Sequence, residues 1–175
     1  LCVGTNNIFR NFNILDKLKK IIPKKKKPVI YPDAKWGEIG AAAFGGMFFH
    51  RSVLESMGKF DETFILYCDD VEFGCRVKKK GGITYCILDS KITDLEDSWN
   101  TEIFAPYVFA TFKDYPKFYY DIRNRVYFEK KYLVTNWLLY IINLSIYLFI
   151  VYAISIAHGN IKNIRVFTRA VYDGL

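Results

Sequence analysis

A chain of 175 residues has room for one domain plus an appendage, and with 51% apolar residues it can bury a real core. Its four cysteines, Cys2, Cys68, Cys75 and Cys86, form no CxxC pair and have no zinc-ligand spacing, which excludes a disulfide scaffold or zinc module and implies buried, reduced thiols. The net charge of +7 calls for an anionic partner, but no nucleic-acid-binding motif is present.

Residues 1–35 are weakly patterned. Leu1-Cys2-Val3-Gly4 reads as mid-domain sequence, so a piece of a longer protein is expected. Lys17 to Lys27 holds seven lysines and, broken by Pro23 and Pro28, reads as a solvated connector. The opposing reading is a contact with anionic lipid or acceptor.

From Trp36 to His50, small residues give way to aromatics. Gly45-Gly46 allows close approach of a backbone or ligand, or a bulge in a packed sheet. Met47 to Phe49 is expected to continue as a buried strand. His50 reads as a strand-end residue. Ser52 is expected to cap a short helix through Met57, with Glu55 completing a capping box and Gly58 stopping it.

Phe64 to Tyr67 reads as a buried apolar run. Asp69 to Lys80 has a helical pattern ended by Gly81-Gly82. Ile83 to Ile87 is a strand by composition and alternation, and Lys91 to Leu95 reads as another short one. Alternation of strand and helix predicts an α/β layer structure. Residues 94–118 are expected to form a long loop carrying Asp94, Glu96, Asp97 and Trp99.

Tyr119 to Lys131 reads as a basic, aromatic helix. The 26 uncharged residues from Tyr132 to Ala157 would span roughly 39 Å, more than the ~30 Å of a bilayer core. Yet Asn136, Tyr140, Asn143 and Tyr147 draw a polar stripe on one face. That pattern suits a helix packed on protein or lying in the interface as readily as a simple span. Basic groups flank the stretch: Arg123, Arg125, Lys130 and Lys131 before it, and Lys162, Arg165 and Arg169 after it. They point to an anionic membrane surface on the cytoplasmic side. His158-Gly159-Asn160 breaks the helix, and a short amphipathic helix runs from Ile161 to Tyr172.

The chemistry concentrates at Asp69-Asp70-Val71-Glu72. Capping explains two of these acids: Asp69 as N-cap and Glu72 bonding back to it. Asp70 is left over, since the helix dipole favours an acid there by only ~0.3–1 kcal/mol. A carboxylate at a helix start can serve as a general base. Two adjacent carboxylates could instead bind a metal.

Several motifs in series carry a resemblance. They are Phe44-Gly45-Gly46-Met47-Phe48-Phe49-His50-Arg51, Val53-Leu54, Gly58-Lys59-Phe60-Asp61-Glu62, Phe64, Tyr67 to Arg76, and Tyr120 to Phe128 with its Tyr-X-X-Arg-Asn-Arg pattern. Together, over about residues 36–131, they resemble the C-terminal half of a family 2 glycosyltransferase of the rhamnosyl- and galactofuranosyl-transferring kind. The resemblance implies an α/β fold of GT-A type with apolar, membrane-associated helices after it. The implied division is 1–35 as partial segment and connector, 36–118 as the acceptor-side half, and 119–175 as basic helix and membrane-associated helices.

It further implies an inverting transfer from a nucleotide-diphosphate sugar to a glycan or lipid-linked acceptor in cell-surface polysaccharide synthesis. Asp70 would be the base, with Asp69 and Glu72 shaping the loop or holding acceptor hydroxyls. Trp36, Gly45 and Gly46 would lie on the substrate side, and Mg²⁺ or Mn²⁺ would neutralise the diphosphate. Arg123 and Arg125 would face the phosphate of a lipid-linked acceptor; pairing with Asp121 or Glu129 along the helix explains them equally well. Two departures stand out. The donor-binding half with its Asp-X-Asp motif is absent, so these 175 residues alone are expected to be inactive. Asp94 stands where the family carries a metal-binding His. The opposing reading is a non-catalytic, membrane-anchored binding fragment whose acids only cap helices.

Overall fold

The structure is a computed structural model and describes residues 6–10, 12–14, 35–93, 110 and 114–175. These divide into two compact units. One comprises 35–63 and 69–93; the other comprises 6–10, 12–14, 64–68, 110 and 114–175. The basic connector, Cys2, and the acidic stretch with Asp94, Glu96, Asp97 and Trp99 lie outside the described residues.

The first unit holds β1 (Trp36–Ile39), α1 (Arg51–Met57), α2 (Asp69–Lys79) and β2 (Thr84–Ile87). β1 and β2 pair antiparallel, with Trp36 opposite Ile87 and Glu38 opposite Tyr85. This is the one sheet among the described residues. The core is aromatic. Phe73 is buried, and the rings of Phe60 and Phe49 approach it at 5.0 and 5.4 Å between centroids. Phe44 closes on Phe60 at 5.2 Å. Gly74 lets α2 approach the chain before this cluster: a Cβ there would stand 2.9 Å from the Cα of Ala41. α2 ends in a Schellman motif, with Gly82 N–H on the Val77 carbonyl, Gly81 N–H on Lys78 and Gly81 at φ 83°.

Several local expectations are corrected. Met47 to Phe49 is no buried strand: it is irregular, and Phe48 is fully exposed. The cap of α1 is His50, not Ser52, because its imidazole accepts the Ser52 N–H while Glu55 pairs with Arg51. Residues 91–93 form no strand. Of the thiols, Cys75 is buried, Cys68 half-buried and Cys86 exposed on the two-stranded ribbon, so burial does not hold for all.

The second unit is built from α3 (Tyr115–Tyr132), α4 (Trp137–Ala157) and α5 (Ile161–Gly174). α3 starts four residues earlier than Tyr119, because the Asp114 side chain accepts the Lys117 N–H and Pro116 suits the first turn. Residues 115–118 of the expected loop are therefore helical, and most of the rest of it lies outside the described residues. The uncharged stretch is not one helix either. Asn136 caps α4 by accepting the Leu139 N–H, which ends the preceding helix and starts a new one. Gly159, at φ 67°, turns the chain into α5.

The polar stripe of α4 faces protein. Tyr140 and Asn143 are wholly buried, and Tyr147 nearly so. Asn143 accepts the Ile14 N–H and donates to the Asn7 carbonyl, so α4 stitches residues 6–14 onto the bundle. Asn7 repays this by accepting the N–H groups of Thr135 and Asn136 at 2.6 Å each. Phe9, Phe118, Ile122, Tyr147, Val151 and Phe167 form the surrounding core.

Candidate active site

α2 begins at Asp69, so Asp69 and Asp70 both stand in its first turn. Asp70 is half-buried, and its Oδ1 accepts the Val71 N–H at 2.7 Å. Burial pushes the Asp70 carboxyl above its ordinary value of 3.8, and the neighbouring Asp69 adds to that; the Val71 N–H pulls it back. A carboxyl raised in this way is a stronger base than an exposed Asp while it stays ionised.

Glu72 takes a different part from the one its spacing suggests. It is 1% exposed, and its Oε2 accepts from Arg76 Nε at 2.9 Å. It is thus buried and paired along its own helix. Arg76 extends the network. Its Nη1 donates to the carbonyls of Met57 and Lys59, at 2.9 and 3.0 Å, and so ties the end of α1 to α2. The acid that pairs with arginine on this helix is thus Glu72, one turn before Arg76, and its neighbour Asp70 is held by a backbone amide.

Gly45 and Gly46 are the exposed corner of a turn closed by the Met47 N–H on the Phe44 carbonyl at 3.1 Å. Gly46 has φ 91°, the conformation that a type II turn demands at its third residue. A Cβ on Gly46 would also lie 2.1 Å from Ile92 Cδ1. The pair is therefore a turn, not a sheet bulge. Trp36 is exposed on β1, with its ring edge against Tyr85 at 4.9 Å. Asp69, Asp70, Gly45, Gly46 and Trp36 all belong to the first unit.

Arg123 and Arg125 belong to the second. Arg125 is buried, and its Nε donates to Glu129 at 2.6 Å. Glu129 is wholly buried and also accepts the Arg10 N–H at 2.9 Å and the Tyr140 hydroxyl at 3.2 Å. Burial pushes its carboxyl up, against the pull of Arg125 and the Arg10 amide. Of the two readings of Arg125, pairing along the helix is the one the geometry displays. Arg123 is half-buried, donates to Asn124 Oδ1 and lies over the Tyr127 ring.

Asn124 is the residue that sequence reasoning passed over. It is wholly buried, and its Nδ2 donates to the carbonyls of Ile65 and Tyr67 at 2.8 and 2.9 Å. Between them Leu66 adopts φ 70°, and the Tyr67 N–H bonds back to Ile65 at 2.9 Å. That is a classic γ-turn, a rare and strained conformation. Phe64 to Tyr67 is therefore no buried run: Phe64 is buried, but Ile65 and Leu66 are exposed. Cys68, just before Asp69, repeats the left-handed φ of 70°. Two left-handed, non-glycine residues within three positions mark stored strain of the kind found at functional sites. The only sequence signal was the Tyr-X-X-Arg-Asn-Arg pattern itself.

Among the described residues, no group of three or more His, Cys, Asp and Glu side chains could hold a metal ion. Asp69 and Asp70 alone do not make such a site, Glu72 being engaged with Arg76. Asp94 lies outside the described residues. No family model, no curated protein and no solved structure matches this chain.

Proposed function

We propose that this chain is the acceptor-side part of an inverting glycosyltransferase of GT-A type, acting at the cytoplasmic face of a membrane. The observation that carries the reading is Asp70. It is half-buried in the first turn of α2, raised in pKa, and held by a backbone amide while its neighbour Glu72 takes the arginine. The amide it accepts belongs to the first turn of α2, and the backbone leading to it is strained at Leu66 and Cys68. The resemblance of residues 36–131 to family 2 glycosyltransferases supplies the reaction class.

In this reading Asp70 accepts the proton of an acceptor hydroxyl as its oxygen attacks the anomeric carbon of a nucleotide-diphosphate sugar. The bond from that carbon to the diphosphate breaks with inversion, and the diphosphate leaves with the electron pair. Asp69 keeps the Asp70 proton affinity high. Glu72 and Arg76 lock the helix that carries both. Trp36, Gly45 and Gly46 contribute an exposed aromatic ring and an exposed turn to the substrate side of the first unit; within the second unit, and taken by itself, Arg123 is the group proposed for a lipid-linked phosphate. Mg²⁺ or Mn²⁺ would neutralise the leaving diphosphate, and Asp94, outside the described residues, would be the ligand offered to it.

The test uses the full-length protein. Nucleotide diphosphate release is followed with a panel of nucleotide sugars and a divalent ion. Asp70→Asn should lower turnover by about 10²–10⁴-fold, with an unchanged circular dichroism spectrum. Full activity in that variant would remove Asp70 as the base. Absence of transfer by the full-length protein with any donor would favour the non-catalytic membrane-anchored reading.

A further inference from the structure

The second unit leaves one face of α4 bare. Leu138, Ile141, Ile142, Phe149 and Ile156 are all exposed, Leu138 and Phe149 at 73% and 72%. They recur at three-, four- and seven-residue steps and so share one side of the helix. The opposite side is the buried polar stripe. From Leu138 to Ile156 the bare strip is roughly 27 Å long at 1.5 Å per residue, and its one polar interruption is Ser145.

α4 is long and apolar enough to cross a bilayer, and with only 33% of its most apolar window buried it leaves apolar surface uncovered. Its packing argues against crossing. Tyr147 stacks on Phe167 of α5, and the Tyr152 hydroxyl meets Thr168 of the same helix at 2.6 Å. α5, which packs chiefly on α3, thus crosses α4 at these two contacts, and it carries exposed Lys162, Arg165 and Arg169. A spanning α4 would drag those cations into hydrocarbon, where they are strongly disfavoured.

The same contact aligns the two exposed faces. Tyr152 neighbours Phe149 and Ile156 on the helix surface, and Thr168 neighbours Arg165 and Tyr172. The exposed Tyr152–Thr168 hydrogen bond is a seam with an apolar strip on one flank and a basic strip on the other. The single acid of α5, Asp173, is occupied by Arg169 and the Tyr119 hydroxyl. An apolar strip beside a basic one complements one partner in both respects: a bilayer surface with anionic headgroups. Trp137 and Tyr172, half and largely exposed, add aromatic rings of the kind that settle at headgroup depth.

We infer that the α4–α5 hairpin is a monotopic membrane-docking surface: α4 lies in the plane of an anionic leaflet with its bare strip in the acyl boundary, and α5 sets its cations among the headgroups. This deepens the membrane-surface part of the proposed function and rests on that part alone, not on sugar transfer.

The experiment is flotation of the whole chain with phosphatidylcholine vesicles, with and without phosphatidylglycerol. The chain should float with the anionic vesicles and less with the neutral ones. Leu138→Glu with Phe149→Glu should lower binding roughly tenfold or more, and Arg165→Glu should lower it further at low salt than at high salt. Both apolar positions are exposed, so folding is retained and is checked by circular dichroism. In Phe149→Trp, the added tryptophan emission should be quenched by lipids brominated near the headgroup more than by those brominated near the chain end. No flotation with anionic vesicles, or flotation untouched by the two Glu substitutions, would overturn the docking face. Deepest quenching at the bilayer centre would overturn the in-plane geometry in favour of a span. A defect in sugar transfer caused by Asp70→Asn bears on the catalytic reading only.

Discussion

Asn124 holds Leu66 in a left-handed conformation. The Asn124 amide reaches the carbonyls on both sides of Leu66, at 2.8 and 2.9 Å, from a position with no solvent exposure. A leucine at φ 70° is disfavoured by roughly 1–2 kcal/mol, so the turn persists because its carbonyls are bonded to a buried donor.

Substitutions at the two residues should therefore act in opposite directions. Asn124→Ala leaves two carbonyls without their donor and should destabilise by about 1–3 kcal/mol. Leu66→Gly removes the steric penalty while losing little burial, and should stabilise by up to about 1 kcal/mol. Urea denaturation of both variants checks the pair. A loss of stability in Leu66→Gly equal to that in Asn124→Ala would show that the turn is not strained.

The Glu72–Arg76 pair should be intolerant of a lysine. Lys has one ammonium, whereas Arg76 uses Nε for Glu72 and Nη1 for two carbonyls. Arg76→Lys should lose stability by roughly 1–3 kcal/mol, and Arg76→Ala by about 3–5 kcal/mol because it takes the arginine charge away from a buried carboxylate. Thermal melts rank the three proteins. Equal melting temperatures would mean that the pair contributes nothing.

Gly74→Ala should fold poorly. The new methyl would stand 2.9 Å from both the Cα and the Cβ of Ala41, and the Cα is backbone. Overpacking of that kind costs about 1–3 kcal/mol. The measurement is the denaturation midpoint, with Gly45→Ala, whose Cβ meets nothing within 4 Å, as the control.

Asp70 makes a pH-dependent prediction. Its folded-state pKa lies above the ordinary 3.8. Just above that value the folded chain holds more of this proton than the unfolded chain does, so the slope of stability with pH from this group is negative. Its contribution is full below about 3.8 and is lost as pH rises through the folded value. Asp70→Asn, which cannot ionise, should gain on the parent as pH rises through that window and then hold a constant advantage. Melting temperatures of both proteins between about pH 3 and about pH 8 read the difference. A gap that does not change with pH would exclude burial of the Asp70 charge.

Local features were legible before the fold was known. α2 and its glycine stop, the strand after it, and the break at His158-Gly159-Asn160 all follow from neighbours within one or two turns. The stripe of Asn136, Tyr140, Asn143 and Tyr147 was visible as periodicity. Its occupants were not: the Asn7 carbonyl that Asn143 meets lies 136 residues away. Phe64 to Tyr67 was misread because four apolar residues look alike whether buried or exposed. The conformation of Leu66 depends on Asn124, and its bonded neighbour Ile65 is 59 residues from that amide.

The sequence by itself determined where α2 stops and where the chain breaks before α5, since glycines and hydrophobic spacing act over a few bonds. It also placed two carboxylates side by side at a helix start. Only the tertiary structure decided that Glu72 is spent on Arg76 and Arg125 on Glu129, and that the polar face of α4 is covered while its apolar face is bare. Those outcomes depend on which distant groups compete for the same buried space and the same protons, and no local pattern records that competition.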